Sequence, residues 1–207
     1  MSFTAIVDYG VGNLFSLASS LQYLGLDSVV THDAETIQRA GRVILPGVGA
    51  FGDAMHKLEA TGLIPVLDAQ VAAGKPLLGI CLGMQMLFER SLEYGEHKGL
   101  GYIKGEVCPL TDDLQAIGKQ LKVPHMGWNS LRIRQPDYPI LKDTPQGAYV
   151  YFVHSFYAKH CEASIVADAE YGVTVPATVA AGKGCGCQFH PEKSGKNGLA
   201  ILQAFAE

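Results

Sequence analysis

The chain has 207 residues, 48% of them hydrophobic, and 16 Lys and Arg against 20 Asp and Glu give a formal net charge of −4. That size and apolar content build one core in a single domain, 1–207. No basic run points to nucleic acid or a membrane surface, and no apolar stretch approaches the ~18 residues of a spanning helix. Five cysteines (81, 108, 161, 185 and 187) are an odd number, and the chain enters a strand pattern without a charged-then-apolar leader. Reduced thiols in a cytoplasmic protein are therefore expected.

Thr4-Ala5-Ile6-Val7-Asp8 reads as a buried strand. Gly10 and Gly12 follow it, but Phe15 stands where the dinucleotide fingerprint needs its third glycine, so nucleotide binding is not expected. This turn is either structural or presents Asn13 and Ser16 to a partner. Leu14 to Leu24 carries apolar residues at helical spacing. Ser28–Thr31 and Arg42–Leu45 are short apolar strands, followed by helical stretches near Asp53 to Leu58 and Leu63 to Ala73. Strands alternating with helices predict βαβ crossovers and a doubly wound α/β fold, its sheet mostly parallel and covered on both faces.

The apolar run Pro76 to Ile80 then leads straight into Cys81, with helical composition from Leu82 to Arg90. Gly79-Ile80-Cys81-Leu82-Gly83 has the strand–turn–helix layout of a nucleophile elbow, with cysteine in the serine's place. Glycines two residues either side remove Cβ atoms where strand and helix nearly touch. The thiol would sit at the amino end of a helix, where the dipole favours thiolate. A buried structural cysteine beside a Gly-rich turn fits the same five residues.

Beyond Arg90, glycines at 95, 99, 101 and 105 and shorter strand-like segments predict antiparallel ribbons inserted after the parallel core: Tyr102 to Cys108, Gln120 to Val123 and Asn129 to Ile133. Further strands are expected at Ala148 to Phe156, Ser164 to Asp168, Val175 to Ala181 and Gly186 to Phe189, before a closing helix at Leu199 to Phe205. Cys185-Gly186-Cys187 lacks the second ligand pair of a zinc site, so these read as small strand residues and neither metal nor cofactor is expected.

His190-Pro191-Glu192 supplies the complementary chemistry. Proline biases the residue before it to extended backbone, and residues i and i+2 of an extended chain project to one side. Glu192 can then hold one imidazole nitrogen of His190 while the other faces a thiol, the nucleophile–base–orienter logic of a triad. An oxyanion hole needs two further donors. The N–H of Leu82, just after the nucleophile, is the first. The second is expected from Pro46-Gly47-Val48-Gly49 at the end of the third strand, whose glycines let backbone amides approach a ligand.

Together, Gly79 to Gln85 and His190-Pro191-Glu192 resemble the class I, triad-type glutamine amidotransferases. Asp8 to Asn13, Pro46 to Phe51, Pro124 to Asn129, Tyr151 to Ser155 and Gln188 to Ser194 are similar, in order and spacing, to the glutaminase subunits of imidazole glycerol phosphate synthases in histidine biosynthesis. The resemblance implies a flavodoxin-like fold and hydrolysis of L-glutamine through Cys81, His190 and Glu192. It implies an oxyanion hole from Leu82 with Val48 and Gly49, and substrate contacts from Gly47, Gln85, Glu93, Ser155 and Phe156. His154 is expected to be packed or at an interface rather than to act as the base. A second subunit, a (β/α)₈-barrel cyclase forming a heterodimer, would take the ammonia and release imidazole glycerol phosphate and an aminoimidazole carboxamide ribotide. Asn13, Ser16, Trp128 and Lys193 match the docking face.

Val48 stands where related amidotransferases commonly carry glycine, and a β-branched residue resists positive φ. The Val48–Gly49 peptide is therefore expected to point away from the site at rest and to rotate inward when the partner is loaded. Glutaminases serving pyridoxal phosphate, anthranilate or guanylate synthesis, a cysteine hydrolase of similar fold and a catalytically dead binding subunit are the competing readings. Pro124-His125-Met126-Gly127-Trp128-Asn129 argues against the first, the paired Pro46–Gly49 loop and His190-Pro191-Glu192 against the second, and the intact Cys81, His190 and Glu192 against the third.

Overall fold

A computed structural model describes residues 3–207. The first half runs β1 (Thr4–Val7), α1 (Leu14–Tyr23), β2 (Ser28–Thr31), α2 (Ala34–Arg39), β3 (Arg42–Leu45), α3 (Phe51–Ala60), α4 (Ile64–Ala72), β4 (Leu77–Ile80) and the one-turn α5 (Leu82–Gln85). Then come β5 (Phe88–Ser91), β6 (His97–Lys98), β7 (Ile103–Pro109), α6 (Leu110–Ala116), β8 (His125–Ser130), β9 (Arg132–Ile133), β10 (Tyr149–His154), β11 (Phe156–Lys159), β12 (Ile165–Tyr171), β13 (Val173–Ala181), β14 (Gly184–Cys187) and α7 (Gly195–Ala206).

The main sheet has the order β2-β1-β3-β4-β14-β13-β12-β9. From β2 to β14 neighbouring strands pair in parallel; β13, β12 and β9 continue antiparallel. The sheet is mixed and α/β, as the alternating pattern predicts.

Both faces are covered, which explains the uninterrupted apolar strands. On one side Ala5, Val7, Val43, Leu45 and Leu77 meet Ile37 of α2, Phe51 and Leu58 of α3 and Leu67 of α4. On the other, Ile6, Ile44, Leu78 and Ile80 meet Leu17 and Leu21 of α1, Ile201 and Leu202 of α7 and Phe152 of β10. Each such fully buried side chain contributes about 1.5–3 kcal/mol by leaving water.

Three expectations need correction. The helix expected over Leu82 to Arg90 stops at Gln85. Met86, Leu87 and Phe88 are wholly buried, and the carbonyls of Met86 and Leu87 are taken by the amides of Leu100 and Ile103, so the backbone leaves the helix to pair with the following segment. The region after Arg90 is not simply antiparallel ribbon: in the sheet β11-β7-β5-β6, β5 and β7 run parallel. Gln120–Val123 forms no strand among the described residues; it follows α6, a helix absent from the sequence reading. The α2 helix was also missed, though the side chain of Asp33 accepts the Thr36 amide at 2.7 Å as a helix cap should.

The sheet order decides where chemistry can happen. β3, β4 and β14 are parallel neighbours, so their carboxyl ends open on one crevice. Pro46–Ala50, Cys81 and His190 all leave from there.

Candidate active site

Cys81 follows β4 with φ 53° and ψ −110°, outside the comfortable regions for an L-residue. A strained turn of this kind costs roughly 1–3 kcal/mol and persists only where neighbours over-determine it. Here they do. The Cys81 amide donates to the Cys187 carbonyl at 2.7 Å, and a Cβ on Gly83 would lie 1.9 Å from the Leu45 carbonyl oxygen, so strand, elbow and loop touch through backbone. Because α5 is a single turn, its dipole does less for the thiol than a long helix would.

His190 has extended backbone, φ −98° and ψ 101°, as its proline predicts. Its Nδ1 donates to Glu192 Oε1 at 2.8 Å, and both side chains are 3% exposed. Burial opposes a charge on this ring, but hydrogen bonds with Cys81 and Glu192 and the attraction of their negative charges outweigh it, raising the His190 pKa to about 9. The turn that carries His190 is pinned by Ser194, which donates from Oγ to the His190 carbonyl at 2.6 Å and accepts the Tyr151 amide at 2.9 Å. Glu192 Oε2 is buried with no hydrogen-bond partner among the described residues, and Glu192 lines a small cavity with Asn13, Gly47 and Val48.

A folded-state pKa near 9 against 6.5 for a free imidazole means that protonated His190 stabilises the fold. That contribution is complete below about pH 6.5 and is lost as pH rises through 9. In a His190→Gln variant, the loss of unfolding free energy between pH 6.5 and 9 should shrink by on the order of 2–3 kcal/mol, read from urea titrations at each pH.

Cys81 and His190 face a cleft of about 350 Å³. Val48, Gly49, Leu82, Gln85, Glu93, Ser155, Phe156 and Lys193 line it with them. Gly47 does not line it. A Cβ there would come 2.6 Å from the Gly83 amide nitrogen, so Gly47 is pressed against the elbow. Gln85 Nε2 donates to the Phe156 carbonyl at 2.9 Å and to Gln188 Oε1 at 3.0 Å. Glu93 accepts the Phe51 amide at 2.6 Å, and burial raises its pKa despite that bond.

Val48 is not among the residues with positive φ; the left-handed position falls on Gly49, at φ 95°. The Val48–Gly49 peptide turns through ψ of Val48 and φ of Gly49, so glycine at 49, more than valine at 48, decides how freely it turns.

Asn13 and Ser16 are half-buried at the start of α1, Trp128 is 56% exposed, and Lys193 is exposed at the cleft. Phe15, Met126 and Tyr149 are further exposed apolar residues, not singled out in the sequence.

Also missed were Gln188, Tyr94 and His125, the partner of His154. Gln188 is wholly buried, with Nε2 3.9 Å from Cys81 Sγ. Its signal was legible, since 188 and 190 share one side of an extended chain. Tyr94, at φ 53°, sets its ring edge-on to Phe156 at the cleft. His154 is packed, as expected of it: it is 6% exposed, bonded to His125, and burial with the neighbouring His125 lowers its pKa to about 3.

A thiol, an imidazole held by a carboxylate, and backbone amides around a cleft suit acyl transfer through a thioester. Among the described residues no group of three or more His, Cys, Asp or Glu is placed to hold a metal ion, and no helix is long and apolar enough to cross a membrane.

Comparison with known proteins agrees with this chemistry. The family model described as glutamine amidotransferase class-I matches residues 5–207. The imidazole glycerol phosphate synthase subunit HisH of Bacillus licheniformis is 49% identical over 203 residues, covering 98% of this chain and 94% of that protein. Its namesake from Caldanaerobacter subterraneus is 48% identical, over 98% and 96%. Among solved structures, a chain of PurLQS from Thermotoga maritima superposes with a TM-score of 0.74 at 20% identity, covering 99% of this chain and 98% of the other, a likeness of fold.

Proposed function

The chain belongs to the class-I glutamine amidotransferase family, and on that premise we propose that it is the glutaminase subunit of an imidazole glycerol phosphate synthase in histidine biosynthesis. The observation that carries the reading is Cys81, held at φ 53° on the elbow, beside the buried His190–Glu192 pair in one cleft.

With the Cys81 proton held on His190, the thiolate attacks the side-chain amide carbon of L-glutamine. The tetrahedral oxyanion is met by the Leu82 N–H and by an amide of the Val48–Gly49 loop. His190 returns its proton to the departing nitrogen, which leaves as ammonia while the glutamyl group stays on Cys81 as a thioester. Water, deprotonated by the same imidazole, cleaves the thioester to glutamate and restores the thiol. Glu192 orients the ring and stabilises its charged form. Glu93 meets the substrate's α-amino group, the Ser155–Phe156 backbone its α-carboxylate, and Gln85 holds the wall between them.

Ammonia passes to a (β/α)₈-barrel cyclase docked as a heterodimer over Asn13, Ser16, Trp128 and Lys193, where Phe15, Met126 and Tyr149 add exposed apolar area. The cyclase releases imidazole glycerol phosphate and aminoimidazole carboxamide ribotide. The free, buried cysteines suit a cytoplasmic location. The Val48–Gly49 peptide gates the oxyanion hole, turning inward when the cyclase is loaded.

The test is glutamate release from glutamine by the chain alone and with its cyclase and ribotide. Strong stimulation by the loaded partner is expected, about 10²-fold or more, the worth of one oxyanion donor. Equal rates with and without the partner would remove the gate, and no release in either state would remove the function.

A further inference from the structure

From the wall of the cleft a directed hydrogen-bond series runs back into the protein, and the chemistry above leaves it unused. His125 and Asn129 project from one face of β8, four residues apart, while Met126 and Trp128 between them are exposed. The Asn129 amide has its orientation set by two partners of fixed character. Its Oδ1 accepts the Ser130 amide at 2.8 Å, and its Nδ2 donates to the Glu170 carbonyl at 2.8 Å. The second Nδ2 proton reaches His125 Nε2, at 3.2 Å.

The far end is equally determined. His154 Nδ1 lies 2.9 Å from the Phe156 carbonyl oxygen, which can only accept. Between the rings, His125 Nδ1 and His154 Nε2 are 2.9 Å apart. Both imidazoles are neutral at physiological pH, because burial lowers the His125 pKa to about 4 and, with the adjacent His125, lowers that of His154 to about 3. One proton per ring leaves one assignment. Asn129 donates to His125 Nε2, His125 Nδ1–H donates to His154 Nε2, and His154 Nδ1–H donates to Phe156.

Two buried imidazoles fill space no better than two phenyl rings and bring four nitrogens that need partners. All four have them. His125 is stacked between Phe152 and Tyr171, ring centroids 4.7 and 4.0 Å away. The series ends on the same carbonyl that accepts Gln85 Nε2.

We propose that His125 and His154 are positioning residues, which hold the Phe156 carbonyl, and through it the Ser155–Phe156 wall and the Gln85 amide, where the α-carboxylate end of glutamine docks. This rests on the glutaminase reading and adds to it a cause for the shape of that wall. His154 lines the cleft beside the wall it holds, and His125 lies outside that lining.

Two variants separate the hydrogen bond from the packing. His125→Phe keeps the stacked ring and loses the donor to His154. His125→Asn keeps a donor near Nδ1 and loses the stack. In the complex with the cyclase, the phenylalanine variant should raise KM for glutamine about 5–20-fold with kcat within about threefold of the parent, and the asparagine variant should keep KM within about threefold. A packing role predicts the reverse order, and a phenylalanine variant with unchanged KM would overturn the proposal. Nitrogen-15 spectra of the unmodified chain provide a measurement independent of any variant: Nδ1–H is expected on both rings, and Nε2–H on either one refutes the series. A parent complex that releases no glutamate would refute the glutaminase reading and leave the spectroscopic test standing.

Discussion

Replacing Cys81 with alanine should abolish glutamine hydrolysis, lowering glutamate release by about 10⁴-fold or more, since the covalent route is lost entirely. The fold should survive, because apart from its interaction with His190 the thiol makes only long contacts among the described residues, 4.0 Å to the Val153 carbonyl and 3.9 Å from Gln188 Nε2. Alanine keeps the strain of φ 53°, whereas glycine relieves it. Cys81→Gly should therefore be as inactive as Cys81→Ala and more stable by about 1 kcal/mol, the opposite of glycine's usual cost. Urea unfolding of the two variants checks the sign, and glutamate release checks the chemistry. An alanine variant retaining even 1% of the parent rate would exclude Cys81 as the nucleophile.

Gly83→Ala should do more damage to the fold than any surface change of the same size. The added methyl would lie 1.9 Å from the Leu45 carbonyl oxygen, with the Leu45 carbon at 2.8 Å and that of Pro46 at 3.1 Å. All three atoms are backbone, so no side chain can swing aside. Relief requires β3 and β4 to separate, or the elbow to leave β3, and either breaks the sheet at its centre. A loss of about 4 kcal/mol or more is expected, or failure to accumulate as soluble protein. Gly25→Ala provides the contrast. That glycine also has positive φ, 71°, but nothing lies within 4 Å of the added atom, so only the left-handed backbone cost of about 1–2 kcal/mol applies. Similar losses for the two would show that the elbow can relax.

How much was legible follows from how local each signal is. β2 and β3 fall on Ser28–Thr31 and Arg42–Leu45, the bounds read from the residues, and β1 and β4 each differ by one residue. In β1, β3 and β4 apolar side chains run between turn residues and burial on both faces leaves no competing period, while the edge strand β2, with Val29 and Val30 exposed, is marked by its β-branched residues alone. His190 is extended because Pro191 makes it so, whatever surrounds it. Where partners lie far along the chain, legibility fails. Leu82 to Arg90 has helical composition throughout, yet its carbonyls at 86 and 87 are claimed by residues 100 and 103. The parallel pairing of β5 with β7 leaves no periodic mark in either strand. Gln188 shared a side with His190 on paper, but its contact with Gln85 depends on which strand lies beside β14.

By itself the sequence determined the chemistry available: one cysteine between glycines after an apolar strand, one histidine fixed ahead of a proline with a carboxylate two residues on, and a glycine-bearing loop after the third strand. Those are statements about bond rotation and side-chain direction over a few residues, and they hold in any surroundings. Only the tertiary structure decided that β3, β4 and β14 are neighbours and that Cys81 and His190 meet in one cleft, with Glu192 Oε1 2.8 Å from the imidazole. It alone put the positive φ on Gly49 instead of Val48, and ran an oriented line of imidazoles from β8 to Phe156. Sheet order and long-range hydrogen bonds come from the packing of the whole core, in which every strand competes for every edge. No window of local residues carries that competition.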